Sequence, residues 1–82
     1  MLTNDALKNS LLSIDGVDHV QVDGDGYHYQ LTIVSDIFCA KSKLARQQWV
    51  YAQLNDEIVS GRLHALTMTT LTQKEWESRN EG

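Results

Sequence analysis

The chain has 82 residues, with seven Lys and Arg against eleven Asp and Glu, a formal net charge of −4 and a sequence pI near 5.1. That balance excludes a protein whose whole surface is a nucleic-acid footprint, and a hydrophobic fraction of 41% excludes a disordered tail. A single cysteine, Cys39, excludes an intrachain disulfide and any Cys-rich zinc site.

The length suits one domain spanning residues 1–82. The start, "MLTNDALKNS", has neither a basic segment nor an apolar run of the secretory kind. No apolar run approaches the ~20 residues of a bilayer span. The expected location is the cytoplasm, with no membrane partner.

In chain order, "LTNDALKNSLLSID" predicts a helix capped by Thr3 or Asn4, with Leu7, Leu11 and Ile14 on one face and Asp15-Gly16 ending it. "VDHVQVDGDGYHYQLTIVS" predicts a β-hairpin whose turn is Asp-Gly-Asp-Gly. Pairing Val22 with Tyr29 and Val20 with Leu31 keeps its apolar face pure and sets Asp23 opposite His28. "DIFCAKS" is a connector. "KSKLARQQWVYAQLNDEIVSG" predicts one long helix, with Ser42 as N-cap, an apolar stripe of Leu44, Val50, Tyr51, Leu54 and Ile58, and Gly61 just past its end. "RLHALTMTT" predicts a third strand, apolar on both sides and therefore interior or covered. "TQKEWESRN" predicts a last helix with a Thr72–Glu75 capping box and Trp76 docking it. The α-β-β-α-β-α order predicts an α+β domain with a three-stranded sheet and helices on one face.

Three groups of residues bear chemistry. Lys41, Lys43 and Arg46 cluster at the start of the long helix while Asp56 and Glu57 close it, the reverse of what a helix dipole favours by ~0.3–1 kcal/mol per exposed charge. They predict a solvated basic patch or a docking site for phosphate or an acidic partner. His64 stands near the mouth of the third strand, either as a packed side chain or as a ligand. His19 and His28 fall on the outer face of the hairpin, and His28 next to Asp23 is the more interesting of the two. Two imidazoles cannot close a structural zinc site, so any metal there needs ligands from a partner. Cys39 reads as a small buried residue. With no Ser-His-Asp pattern, Walker loop or HExxH motif, no enzymatic activity is expected.

From about Val20 to Trp76 the chain resembles the BolA family, through "HYQLTIVSDIF", Lys41, Arg46, Val50-Tyr51, "LHAL" at 63–66 and "TQKEW" at 72–76. The resemblance implies a class II KH-like α-β-β-α-α-β fold with a further C-terminal helix and a mixed sheet. It implies a monothiol glutaredoxin as partner and a [2Fe–2S] cluster present only in that complex, in iron–sulfur homeostasis and stress response. His64 matches the family's proposed iron ligand. The family's second ligand, a Cys or His of the loop between the first two strands, has no counterpart near Asp25, and His28 is the nearest substitute. Ala40 replaces the family's usual Gly, and Gln73 replaces its Pro. Some relatives are transcription regulators, so the alternative is a KH-like nucleic-acid-binding regulator using Lys41, Lys43 and Arg46. No GXXG loop is present to support it. Alone, the chain is expected to be a monomer or weak homodimer.

Overall fold

The computed structural model of the chain describes residues 2–81. Its elements are α1 (Asn4–Leu12), β1 (Val17–Gly24), β2 (His28–Ser35), a 3₁₀ turn (Asp36–Phe38), α2 (Lys43–Gln53), α3 (Asn55–Val59), β3 (Ala65–Leu71) and α4 (Gln73–Glu81). Among the described residues, no helix is long and apolar enough to cross a membrane.

The helix starts follow from the caps. Thr3 Oγ1 accepts the Ala6 N–H at 3.0 Å and Ser42 Oγ the Ala45 N–H at 3.1 Å, each satisfying a donor that has no partner within its helix. The Thr72–Glu75 capping box forms as expected, with the Glu75 N–H on Thr72 Oγ1 at 3.2 Å and the Thr72 N–H on Glu75 Oε1 at 2.8 Å.

The sheet is mixed, in the order β1-β2-β3, with β1 antiparallel and β3 parallel to β2. Val20, Tyr29, Leu31 and Ile33 face a core shared with Leu7, Leu11, Phe38, Val50, Leu54 and Leu63. α4 packs against β2 and β3, and its Trp76 ring lies 4.9 Å from that of His19, whose neighbour Val20 points into the core.

Five details differ from expectation. The hairpin register is Val22↔Leu31, Val20↔Ile33 and Asp23↔Gln30, two residues away from the expected pairing. An even shift preserves the faces, which is why the alternation could not distinguish the two. Asp25 decides it: Oδ1 accepts the N–H groups of Tyr27 and His28 at 2.9 and 2.8 Å and closes the loop tightly. Asp23 therefore does not face His28.

The long helix breaks at Leu54, which leaves the helical region at φ −105°, ψ 13° and is fully buried. Asn55 and Asp56, residues that compete with a helical backbone, follow it. Asp56 and Glu57 thereby fall in the first turn of α3, where the dipole favours them. The apolar stripe is likewise narrower than expected. Val50 and Leu54 are buried, whereas Leu44, Tyr51 and Ile58, a seven-residue row displaced to one side, are exposed.

β3 is not interior to the sheet but its edge strand, and it is covered in part: most of its residues are half-buried. Cys39 is exposed, because it sits between the 3₁₀ turn and the Ser42 cap and points away from the core that Phe38 enters.

Ala40, next to it, has φ +62°. A side chain there costs roughly 1–2 kcal/mol in the left-handed region, against roughly 0.5–1 kcal/mol for the extra unfolded-state freedom of glycine. Ala40→Gly should stabilise the fold by up to about 1 kcal/mol. Urea unfolding would show it as a higher midpoint at unchanged slope.

Candidate functional site

The turn closed by Asp25 leaves Tyr27 projecting from the hairpin tip, 57% exposed. Behind it the chain is pinned: the Tyr29 hydroxyl donates to the Leu2 carbonyl, and Asn4 Nδ2 donates to Gly24 O at 3.3 Å. A side chain at Gly24 would meet His28 O at 2.6 Å, so only glycine allows this close approach. The tip is thus a fixed platform.

His64 arrives on that platform from the other direction. Gly61, at φ +80°, turns the chain out of α3, and Leu63 plugs into the core. His64, the residue before β3, is left exposed. Its ring stacks on Tyr27 with centroids 5.0 Å apart and planes 17° apart. The Tyr27 ring also meets His28 edge-on at 4.9 Å. A cleft of about 380 Å³ opens beside His64, lined also by Asp25, Tyr27, Ser60 and Arg62.

His28 opens instead onto a neighbouring depression with Asp23 and Gln30. Asp25 lines both. The backbone N–H groups of His28 and then Tyr27 hold the Asp25 carboxyl below the usual carboxylate range. It therefore presents a charged oxygen at the cleft. Among the described residues, no three His, Cys, Asp or Glu side chains converge as a metal-binding group.

The basic residues lie at the opposite end of β3. Lys41 and Lys43 are exposed. Arg46 is not spread into solvent with them. Its Nε donates to Lys41 O at 3.1 Å, and its Nη1 donates to Thr70 O at 3.2 Å and to Glu75 Oε1 at 2.8 Å. Its guanidinium lies 5.9 Å from the Phe38 ring centroid.

Tyr27 and Glu75 carry more of the geometry than the sequence reading gave them. An aromatic residue directly after a turn glycine was the signal for Tyr27. Nothing in the spacing of Arg46 and Glu75, 29 residues apart, announced their pairing.

The family model described as BolA-like protein matches residues 4–75. The chain is 32% identical over 75 residues to the acid stress protein IbaG of Escherichia coli (strain K12), covering 92% of this chain and 89% of that one. It is 39% identical over 54 residues to the DNA-binding transcriptional regulator BolA of the same organism, covering 66% of this chain and 50% of that one. Among solved structures, a bolA protein homologue from Coxiella burnetii superposes with a TM-score of 0.82 at 27% identity, covering 94% of this chain and 99% of that one.

The Glu75 carboxyl is held below its usual range first by the Arg46 side chain and then by the Thr72 N–H. A carboxyl lowered on folding contributes stability above its unfolded pKa, and that contribution is lost as pH falls through the lowered value. Glu75→Gln should cost up to about 1 kcal/mol at neutral pH. The variant and parent stabilities, read from urea midpoints, should converge as pH drops below about 4.

Proposed function

The chain belongs to the BolA family, and from that premise we propose that it is a non-enzymatic adaptor that binds a monothiol glutaredoxin and shares a [2Fe–2S] cluster with it. His64 is the ligand this chain contributes. The observation that supports the reading is the setting of that residue. Its imidazole is exposed, it stacks on Tyr27, and neither ring nitrogen has a hydrogen-bond partner among the described residues. Imidazole is a good iron ligand, and replacing thiolate by imidazole on an iron–sulfur cluster raises its potential.

The cluster is cargo held between two proteins, and the remaining ligands come from the partner. Holding the ring in place lowers the ordering cost of ligation, because the side chain need not search its rotamers. Asp25 lines the same cleft as His64, and its carboxylate would offer a second, oxygen donor. His28, the other candidate ligand, lies on the far side of the cleft's shared Asp25, in the neighbouring depression, with the Tyr27 ring in contact with both imidazoles. The exposed tip and the Gly61–Arg62 turn form the surface a partner would cover.

A second reading, nucleic-acid binding, is supported by the name of one relative and by exposed Lys41 and Lys43. It loses much of Arg46, whose donors are taken within the fold. A role in stress, suggested by the name of another relative, is compatible with either.

Co-purification with the monothiol glutaredoxin under anaerobic conditions tests the adaptor reading through visible absorption and circular dichroism. His64→Ala should leave the far-ultraviolet spectrum intact, since the side chain is exposed, and should change or abolish the visible dichroism of the cluster. An unchanged cluster spectrum removes His64 from the ligand set.

A further inference from the structure

Five of the seven lysines and arginines in this acidic chain line one cleft: Lys41, Lys43, Arg46, Lys74 and Arg79. The cleft, of about 750 Å³, lies between the start of α2, the end of β3 and α4. Its one carboxylate, Glu75, is neutralised by Arg46. The other four cations are exposed, and none forms an ion pair among the described residues. The local charge is therefore positive although the chain is negative overall.

The wall of the cleft is a strand edge. Four consecutive residues, Met68 to Leu71, line it, and consecutive residues of a strand share an edge rather than a face. That edge has no strand partner, because β3 pairs only with β2. The Thr70 carbonyl points outward, as its bond from Arg46 at 3.2 Å shows. By the two-residue period, the N–H and C=O of Met68 point the same way.

We infer that this cleft docks an extended acidic segment of a partner protein, added alongside the outer edge of β3. Main-chain bonds to Met68 and Thr70 would supply affinity, and Lys41, Lys43, Lys74 and Arg79 would receive the carboxylates. Met68 and Leu71, on opposite faces of β3, offer apolar surface to one face each of the added segment. Arg46 already holds the Thr70 carbonyl, so the added ladder is short and charge selects the partner. Lysines beside an open edge also deter like chains from pairing there; an acidic strand is the partner they admit.

Geometry disfavours nucleic acid. No aromatic side chain lines the cleft for base stacking.

The test is a titration of the isotopically labelled full chain with a short synthetic peptide of alternating Glu and Val, followed by amide NMR. Saturable shifts at Met68, Thr70 and Lys41–Arg46 are expected, with affinity about tenfold weaker in the Lys41→Gln/Lys43→Gln/Lys74→Gln variant. All three positions are exposed, so the variant should fold, as its amide spectrum will report. The inference is overturned if no shifts occur, if a Gln-Val peptide binds equally well, if the triple variant binds unchanged, or if only a DNA duplex perturbs these amides. None of these outcomes bears on His64, which lies at the other end of β3.

Discussion

The Arg46 guanidinium is the point at which the fold closes. One side chain, 14% exposed, binds the Lys41 carbonyl ahead of α2, the Thr70 carbonyl at the end of β3 and the Glu75 carboxylate in the first turn of α4. A planar, forked donor can serve three acceptors at once, whereas a lysine ammonium could not reproduce the two-pronged hold on the carboxylate. Glu75 in turn caps its own helix, and Asp36 accepts the next N–H, that of Gln73, at 3.1 Å. Residues 36 to 46 and 70 to 75 are thereby tied into one polar node over the Phe38 ring. With α4 fixed there, Trp76 covers His19, whose Nε2 is buried without a partner.

That closure gives the sheet two unlike ends. At the end of β3 the polar node draws the cations together around a strand edge. At its start Tyr27 and His64 stand exposed against each other at the hairpin tip. A parallel β2–β3 pair needs a long crossover, and here α2, α3 and the Gly61–His64 segment provide it. The crossover delivers His64 to the hairpin tip. The proposed ligand position is therefore a consequence of topology: a parallel third strand starts where the second one starts, beside the turn.

Sequence patterning carried the parts of this structure that rest on local rules. The caps at Thr3, Ser42 and Thr72, the inward parity of Val20, Leu31 and Ile33, and the turn at Gly61 all follow from nearest-neighbour chemistry. The hairpin register did not, because a two-residue slip leaves every face unchanged, and the Asp25 side chain rather than the apolar pattern selects it. The break at Leu54 is not legible in the sequence because a buried leucine continues a helical stripe equally well. Arg46 read as a surface cation because its acceptors are brought together only by the fold. His64 was legible as a candidate. Its stacking on Tyr27 was not, since the two residues are 37 positions apart in sequence and meet only once the crossover is made.

The central claim is that the Tyr27–His64 end of the sheet is a ligand site completed by a partner. Its most direct test is amide NMR of the labelled chain, titrated anaerobically with cluster-loaded monothiol glutaredoxin. The account predicts loss of signal, by proximity to iron, confined to Asp25–Tyr27 and Arg62–Ala65. Signal loss centred on Lys41–Arg46, or an unchanged spectrum at saturating partner, would contradict it.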